Sequence, residues 1–351
     1  MNDFLAAAYP LLSDRLRKLP IADLPTPVAA VPFATPAGPR EIFIKRDDLS
    51  SAHYGGNKIR KLEYILQRAR ERKARRIATF GAVGSNHALA TSITASRFDF
   101  DCTCFLVPQK RTPNVPRTLN MHRKIGTELV PFGRAVDSLA TLRRYLHGRR
   151  CWLIPMGGSS WLGAVGFVNA GLELARQIES GDIAMPDRIY IANGTMGSSV
   201  GLALGIALAN LPIELHAVRV VDTGFATPAG FDRLLHKTAM MLRRLDRSIP
   251  ADIADRTKVR WRDDFLAGGY AVSDDVTEHA VAVARAALDL KIETTYTGKA
   301  LAALLHDLAR PGYAGESYLF WNTYNSRPLP VTSDRPRSPE NIPPEFMRYF
   351  D

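Results

Sequence analysis

The segment Tyr54–Tyr64 (YGGNKIRKLEY) places a lysine where a nucleophilic amine could form. Lys58 follows two glycines at the predicted start of a helix, where the positive end of the helix dipole disfavours an ammonium ion and lowers its pKa. A neutral amine is a nucleophile, and a carbonyl partner would convert it to a Schiff base. The glycines leave room for a bulky planar group, and Lys61 lies one turn onward, close enough to help bind a phosphate. An ordinary solvated lysine is the alternative.

The segment Asn193–Ser199 (NGTMGSS) has the composition of a phosphate-binding turn. It lies between a predicted strand, RIYIA, and a predicted apolar helix, VGLALGIALA. Its glycines would let the backbone curl tightly, so that free N–H groups converge, and the hydroxyls of Thr195, Ser198 and Ser199 add further donors. The spacing matches neither the dinucleotide-binding fingerprint nor the Walker loop. An ordinary strand-to-helix turn is the alternative.

A third loop of the same design, Gly81–Ala88 (GAVGSNHA), follows the predicted strand RIATF and precedes a helix. Ser85 and Asn86 would stand at the start of that helix, where they could bind a carboxylate or a ring oxygen, and Ser85 could exchange a proton. A capping Ser-Asn pair would be equally natural there. Taken together, the three loops indicate a ligand site built where helices begin.

These loops belong to a chain that alternates short apolar runs with longer stretches of helical spacing, such as Ile59–Arg70. Eight runs have the character of strands: EIFIKR, RIATFG, CTCFLV, ELVPFG, CWLIPM, RIYIA, ELHAVRVV and SYLFWN. This alternation predicts crossover connections and therefore an α/β fold with largely parallel sheets and helices on both faces. Two proline-rich stretches interrupt the pattern. Residues 20–40 are predicted to be an extended arm, and Thr332–Pro344 a polar tail.

The chain has 351 residues, 46% of them hydrophobic, which predicts a globular protein of about two domains. Its formal net charge of +11 could attract nucleic acid, but the basic residues are scattered, and the densest stretch, Arg68–Arg76, falls at a predicted helix end. We therefore expect no nucleic-acid partner. We expect no membrane partner either, since the apolar runs are too short. The three cysteines and the absence of a visible signal peptide predict a cytoplasmic protein.

Asp47 and Asp48 form an acidic pair that could suggest a metal. No histidine or further carboxylate lies nearby at ligand spacing, so these residues are predicted to serve a turn or to cap a helix. No metal site is predicted.

Five motifs in this order resemble the family of 1-aminocyclopropane-1-carboxylate deaminase and D-cysteine desulfhydrase. They are IKRDDLSSAHYGGNKIRKLEY, GAVGSNHALAT, PMGGSSWLGAVGFVNAGLEL, NGTMGSS and TTYTGKALAALL. The resemblance extends over roughly residues 40–325, and its most specific parts are GGNKIRKLEY and YTGKA. It implies a pyridoxal-phosphate enzyme with the two-domain fold of the tryptophan-synthase β-subunit, also called fold type II.

The resemblance also implies a role for each matching position. Lys58 would bond covalently to pyridoxal 5'-phosphate and shuttle the substrate's Cα proton. Asn86 would bind the cofactor's ring hydroxyl, and Ser85 would bind the substrate carboxylate or act as a second acid/base. Tyr270 and Tyr296 would stack near the ring or assist proton transfer. The phosphate would be held by a lysine and a run of turn residues: Lys61, Gly194, Thr195, Met196, Gly197, Ser198 and Ser199.

Thr297 stands where the cyclopropane deaminases have a glutamate that holds the pyridine nitrogen protonated, and where the desulfhydrases have threonine. A neutral hydroxyl cannot stabilise a pyridinium as an anion would, so the ring is a weaker electron sink. The resemblance therefore favours β-elimination over opening of a cyclopropane ring.

The chain departs from the family pattern at a few positions near the expected site. His87 replaces a glutamine, Ala271 a glycine and Ser273 a proline. The segment Asn322–Ser326 (NTYNS) stands where a His-Thr-Gly-Gly sequence is expected. We expect His87 and Asn322 to contact the substrate.

These observations predict a pyridoxal-phosphate-dependent lyase or deaminase acting on a small, D-cysteine-like amino acid to give a keto acid and ammonia. The alternatives are ring opening of 1-aminocyclopropane-1-carboxylate, β-replacement in a specialised pathway, and a non-catalytic binder of pyridoxal phosphate or nucleic acid. Residues 1–60 and 166–351 would form a large cofactor-binding domain, with residues 61–165 inserted as a small one. The resemblance further implies a homodimer.

Overall fold

The computed structural model describes residues 3–35, 38–133, 135–146, 150–310, 315–329 and 342–350. Most of the predicted tail, Thr332–Pro344, lies outside these residues. The described chain contains ten strands: β1 (Val28–Thr35), β2 (Gly38–Lys45), β3 (Arg76–Ala82), β4 (Asp101–Val107), β5 (Glu128–Pro131), β6 (Cys151–Ile154), β7 (Arg188–Asn193), β8 (Glu214–Arg219), β9 (Val259–Arg262) and β10 (Tyr318–Trp321).

Twelve α-helices lie between and around these strands in the described residues. They are α1 (Phe4–Ala8), α2 (Leu12–Arg15), α3 (Asn57–Glu71), α4 (Asn86–Arg97), α5 (Asn114–Ile125), α6 (Ala135–Leu146), α7 (Trp161–Glu179), α8 (Gly197–Leu208), α9 (Pro228–Leu245), α10 (Asp275–Ala287), α11 (Thr297–Leu308) and α12 (Pro344–Met347). None of the described helices is long and apolar enough to cross a bilayer.

The strands form two sheets. The larger has the order β1-β2-β10-β7-β8-β9 and is parallel except for the β1–β2 pair. The smaller has the order β5-β4-β3-β6 and is parallel throughout. The predicted α/β class with largely parallel sheets is confirmed. The division of the chain at residues 61 and 165 stays a prediction.

Helices cover both faces of the larger sheet, as the side chains of β10 illustrate. Tyr318 and Phe320 point into a core built with α10 and α11, whereas Leu319 and Trp321 point into a core built with α7 and α8. All four side chains are fully buried. This is why β10 is apolar without alternation, as expected for a parallel strand buried on both faces.

Each of the eight predicted strands is present, but β1 and β9 were not predicted. The strand β1 falls inside residues 20–40, which the sequence analysis described as an extended arm, and it pairs with β2 instead as an antiparallel edge strand. Pro32 is tolerated there because an edge strand leaves half of its N–H groups unpaired. The strand β9 is short, and its charged residues hide its periodicity.

Helices α7 and α8 approach one another closely through glycine. A Cβ added to Gly201 of α8 would lie 2.0 Å from the carbonyl oxygen of Ala164 in α7, and one added to Gly166 of α7 would lie 2.2 Å from the carbonyl oxygen of Arg60 in α3. Both distances are shorter than any side chain tolerates. Backbone contact therefore sets the positions of α3 and α8 relative to α7.

A buried ionic cluster binds the first turn of α3 through Arg60. Arg60 lies 2.7 Å from Asp47 Oδ1 and 2.8 Å from Glu173 Oε2, and Lys45 Nζ lies 2.6 Å from Glu173 Oε1. All four side chains are fully buried. The turn predicted for Asp47 and Asp48 is present as the short 3₁₀ helix Asp47–Leu49, but the carboxylate of Asp47 in addition binds a guanidinium from another element. The local pattern could not reveal this, because Arg60 lies a helix turn into α3.

Candidate active site

A cavity of about 360 Å³ is lined by residues at the carboxyl ends of strands from both sheets. This is where ligands bind in open parallel sheets, because helix N-termini converge there. Of the fifteen residues singled out in the sequence analysis, the cavity is lined by Lys58, Lys61, Ser85, Asn86, His87, Gly194, Thr195, Met196, Ser198, Ser199, Tyr270, Tyr296 and Thr297. The three loops that follow β2, β3 and β7 therefore share one cavity.

Lys58 is the second residue of α3, and its side chain enters the cavity. The preceding Gly56 has a φ of 95°, a left-handed conformation that favours glycine. The amine Nζ donates a hydrogen bond of 2.7 Å to Asn57 Oδ1. Burial lowers the pKa of Lys58 to about 8, although the carboxylate of Glu293 opposes the shift. The sequence analysis predicted this direction, but burial rather than the helix dipole is its main cause.

Lys61 lies one turn further along α3 and points to the N-terminus of α8. Its Nζ donates to the carbonyl oxygen of Gly157 at 3.1 Å and to Ser159 Oγ at 3.4 Å. Burial and then the positive charge of Lys58 lower the pKa of Lys61 well below its usual value. Both lysines thus donate to neutral oxygens in one buried cavity, which favours an anionic ligand.

The turn before α8 presents donors and unpaired polar atoms to the cavity. Met196 has a φ of 68°, so this residue and not a glycine makes the tight bend that the sequence analysis assigned to glycine. Ser199 Oγ and both side-chain atoms Oδ1 and Nδ2 of Asn193 are buried with no partner among the described residues. The first N–H groups of α8 have no acceptor within their own helix. A phosphate could accept from the Ser199 hydroxyl, from the Asn193 amide Nδ2 and from the free N–H groups of α8.

Gly197 and Asn322 do not line the cavity. Gly197 lies just behind the turn, where an added Cβ would be 2.7 Å from Ser159 Oγ and 3.0 Å from Lys61 Nζ. Asn322 is fully buried, and its Oδ1 accepts from the backbone N–H of Tyr324 at 3.3 Å. The cavity wall next to it is formed by the following residues, Thr323 to Asn325. Asn322 therefore does not face the cavity as expected, whereas Tyr324 and its neighbours do.

A second wall comes from the loop between β3 and α4. Ser85 caps α4, since its Oγ accepts from the N–H of Ala88 at 3.2 Å. This capping role, which the sequence left open, does not use the hydroxyl proton of Ser85. His87 is buried, and one ring nitrogen lies 2.8 Å from Thr79 Oγ1. Burial and the two lysines lower the pKa of His87 well below its usual value, so the ring is neutral.

The third wall carries two tyrosines and a threonine. Tyr296 donates its hydroxyl to that of Tyr270 at 3.1 Å. Burial raises the pKa of both phenols, so each keeps its proton at neutral pH. Thr297 Oγ1 donates to Glu293 Oε1 at 3.1 Å, and the same carboxylate accepts the backbone N–H groups of residues 295–297. Glu293 therefore caps α11.

The cavity is also lined by residues that were not predicted to belong to the site, among them Asn57, Glu293 and Gln109. Asn57 lies inside the GGNK motif and could have been found there, since its polar side chain precedes the reactive lysine. Glu293 stands four residues before Thr297, the spacing at which an acidic side chain can reach free N–H groups at a helix start. Gln109 follows β4 with no distinguishing pattern, so no local signal pointed to it.

The arrangement combines an amine that is partly neutral near pH 8, a helix N-terminus with unpaired donors, and hydroxyls on two further walls. Such a cavity can hold a phosphorylated carbonyl compound and move protons next to it. Among the described residues no cluster of three or more metal-ligating side chains occurs.

Comparison with known proteins agrees with this chemistry. The family described as pyridoxal-phosphate dependent enzyme matches residues 21–323. The chain is 31% identical to a nocardicin C-9' epimerase from Nocardia uniformis subsp. tsuyamanensis, over 96% of this chain and 99% of the relative. It is 30% identical to a D-cysteine desulfhydrase from Salmonella schwarzengrund (strain CVM19633), over 84% and 90%. A solved structure of an ACC deaminase homologue has a TM-score of 0.73 at 27% identity, covering 92% of this chain and 95% of that one.

Proposed function

The chain belongs to the pyridoxal-phosphate-dependent enzyme family, and from that premise we propose that it catalyses β-elimination on a small amino acid of D configuration, giving a keto acid and ammonia. The fold is fold type II, and the cofactor is pyridoxal 5'-phosphate. The relatives include D-cysteine desulfhydrases and an ACC deaminase homologue, so the reaction class is narrower than that of the whole family.

The residues present fit this cofactor. Its phosphate carries about two negative charges, and the cavity offers two lysines, the buried Lys61 and the half-buried Lys58, that donate to neutral oxygens. The turn before α8 adds the unpartnered Ser199 Oγ and Asn193 side chain. Lys58 has a lowered pKa, which suits a group that bonds to an aldehyde.

When bound, the cofactor withdraws electrons and so acidifies the Cα hydrogen of an amino acid. Lys58 is proposed to hold it covalently and then to take the Cα proton of the substrate. The residues from Thr195 to Ser199 are proposed to hold its phosphate together with Lys61, and Asn86 its ring hydroxyl. Each of these positions except Gly197 faces the cavity directly.

The substrate is proposed to bind between the wall of Ser85 and that of the two tyrosines. Ser85 would donate its free hydroxyl proton to the substrate carboxylate, because its oxygen is already used to cap α4. Tyr270 and Tyr296 keep their protons and can therefore protonate a leaving group at the β carbon.

Thr297 supports elimination over ring opening. Its side chain offers a hydroxyl, already bonded to Glu293, where an acidic residue would stabilise a positive charge on the pyridine nitrogen. Glu293 itself is directed to the N–H groups at the start of α11 and is held there. The site thus supplies less stabilisation to a protonated ring than a glutamate at position 297 would.

Epimerisation at Cα is a second candidate. The nocardicin C-9' epimerase is 31% identical to this chain, and the match covers 99% of the epimerase's length. Inversion needs two proton-holding groups from different walls, and the cavity offers Lys58 on α3 and Ser85 at the start of α4. Elimination needs only one base and a leaving group, so the substrate decides between the two reactions.

One observation carries the proposal: the amine of Lys58, with a pKa near 8, shares its cavity with the unpaired donors of α8. Purified protein should show visible absorbance, and borohydride should fix the label on Lys58, as peptide mass spectrometry would reveal. A K58A variant should lose the absorbance, whereas K237A, which removes an exposed lysine on α9, should keep it. A label on any other lysine would contradict the proposal.

Substrate assays separate the reactions. D-cysteine should release sulfide, pyruvate and ammonia, and L-cysteine should react more slowly. Ketobutyrate from 1-aminocyclopropane-1-carboxylate would indicate ring opening, and a new carbon–sulfur bond would indicate replacement. Exchange of the Cα hydrogen in D₂O with loss of optical rotation, without keto acid, would favour epimerisation. Homodimer assembly stays a prediction that sedimentation would test.

A further inference from the structure

The C-terminal segment, residues 342–350, packs against the loop between β4 and α5. Phe346 of α12 is fully buried, and Tyr349 is 2% exposed, both within the main hydrophobic core. Neither residue lines the cavity. The segment therefore cannot touch a bound substrate, and any effect on the site passes through its neighbours.

Tyr349 binds the backbone of a single residue twice. Its hydroxyl donates to the carbonyl oxygen of Gln109 at 2.9 Å and accepts from the N–H of Gln109 at 3.0 Å. Arg348 Nη2 donates to the hydroxyl oxygen of Tyr349 at 3.2 Å. Two bonds from one rigid phenol fix both the position and the orientation of the Gln109 peptide groups. The two residues are 240 positions apart in sequence.

Gln109 in turn holds the loop that carries Ser85. Its side-chain Oε1 accepts from the N–H of Gly84 at 3.1 Å. The contact is close, since a Cβ at position 84 would lie 3.1 Å from both end atoms of the Gln109 side chain, which would have to shift by a few tenths of an ångström. Gly84 directly precedes Ser85 and Asn86, which line the cavity. The chain of contacts thus leads from the C-terminus to the substrate wall.

The loop after β4 itself lines the cavity with residues 107–110, and the C-terminal segment is hydrogen-bonded to this loop.

We propose that Tyr349 is a positioning residue, which holds the Ser85 loop in place for the substrate carboxylate through Gln109. The proposal rests on the proposed function only in assigning Ser85 to the substrate; the mechanical link from Tyr349 to Gly84 is independent of it. A displaced loop should weaken substrate binding more than it slows the chemical step, because Lys58 stands on another element.

The test uses Tyr349→Phe in the cofactor-loaded protein. It removes the hydroxyl but keeps the buried ring. Amide hydrogen exchange at Gln109 and Gly84 should become about tenfold faster. The N–H of Gln109 loses its acceptor, the Tyr349 hydroxyl. The N–H of Gly84 keeps its acceptor, Gln109 Oε1, but the backbone of Gln109 is no longer held by Tyr349. KM for the amino-acid substrate should rise by about tenfold, with kcat within about twofold. Visible absorbance of the bound cofactor should be unchanged.

Met347→Ala is the matched control, since Met347 lies on the same short helix and is 51% exposed. It should leave both exchange rates and KM as in the wild type. A second variant, Gln109→Met, removes the acceptor of Gly84 but keeps the backbone bonded to Tyr349. It should speed exchange at Gly84 and leave the Gln109 amide protected.

Wild-type exchange at Gly84 in Y349F, or an equal effect of M347A, would overturn the proposal. So would a loss of kcat without a change in KM. A protein that turns over no amino acid would refute the proposed function instead, and the exchange rates would still decide the link from Tyr349 to Gly84.

Discussion

The side-chain amide of Asn57 donates a hydrogen bond of 2.9 Å to Ser198 Oγ, which joins the first residue of α3 to the first turn of α8. Its other atom, Oδ1, accepts from Lys58 Nζ at 2.7 Å. One side chain therefore sets the position of the reactive amine relative to the helix N-terminus that is proposed to bind phosphate. The amide is neutral, so it orients the amine without placing a negative charge beside it.

Asn57→Asp should raise the pKa of Lys58. The variant places a carboxylate beside the amine, and an opposite charge within hydrogen-bond reach favours the ammonium form by about one pKa unit or more. Because burial lowers the pKa of Lys58 to about 8, labelling of Lys58 by an amine-specific reagent in cofactor-free wild-type protein should have its midpoint near pH 8. The midpoint should move upward in the variant, as peptide mass spectrometry at a series of pH values would measure. Asn57→Ala adds no charge and should show no upward move; equal midpoints for N57D and wild type would contradict the prediction.

Glu173→Gln should destabilise the protein most above about pH 5. Burial raises the pKa of Glu173, but Arg60 and Lys45 outweigh it and lower that pKa to about 2 from an ordinary 4.5. Because the pKa of Glu173 is lower in the folded protein than in the unfolded chain, the ionised carboxylate stabilises the fold. This stabilisation is complete above about pH 4.5 and is lost as the pH falls towards 2. The difference in unfolding free energy between wild type and E173Q should be about 2 kcal/mol smaller near pH 3 than near pH 5. Denaturant titrations at both pH values would measure it, and a difference that stays constant would refute the assignment.

The residues of the site could be predicted from the sequence because the motifs that contain them are short and local. Lys58, Ser85 and Ser199 each follow a strand and begin a helix, and parallel strands bring such positions to one edge. That geometry does not depend on the details of packing. Fold class and cavity therefore followed from periodicity and from motifs of a few residues.

The supporting contacts could not be predicted because their partners are distant in sequence. Arg60 binds Glu173, 113 positions away, and Gln109 binds Tyr349, 240 positions away. No periodicity links such residues, and glutamine or tyrosine alone indicates no partner. Asn322 does not line the cavity whereas the next three residues do, for a related reason: which side chain faces a cavity depends on how the loop leaves β10.

Lys299→Met should slow the reaction without removing the cofactor. Its Nζ donates to the carbonyl oxygens of Leu266 and Gly269 at 2.6 and 2.7 Å, and so holds the loop that carries Tyr270. Ala267 and Ala271 in this loop have φ values of 55° and 56°, a conformation that costs about 1 kcal/mol or more each. Without the lysine the loop should relax and separate Tyr270 from Tyr296.

A fall in kcat of about tenfold is expected for K299M, with unchanged visible absorbance, because Tyr270 is proposed to act on the substrate and not to hold the cofactor. Lys237→Met, which removes an exposed lysine from α9, is the control and should have wild-type kcat. Full activity of K299M would show that the loop keeps its conformation without this clamp.

Gly201→Ala should destabilise the protein although alanine is the better helix former. Helix propensity alone would stabilise the variant by about 1 kcal/mol. The new Cβ, however, would lie 2.0 Å from the carbonyl oxygen of Ala164 and 2.6 Å from Phe167 Cβ, and a backbone atom cannot move aside as a side-chain end can. Helix α8 must shift away from α7, and overpacking of this kind costs about 1–3 kcal/mol or more. Thermal denaturation should therefore show a lower midpoint, and because the N-terminus of α8 moves with the helix, affinity for pyridoxal phosphate should fall as well.

Gly224→Ala is the control: an added Cβ there meets nothing within 4 Å, so both the midpoint and the affinity should match the wild type. A wild-type midpoint for G201A would mean that α7 and α8 can separate freely, and backbone contact would then not be what positions the phosphate-binding turn.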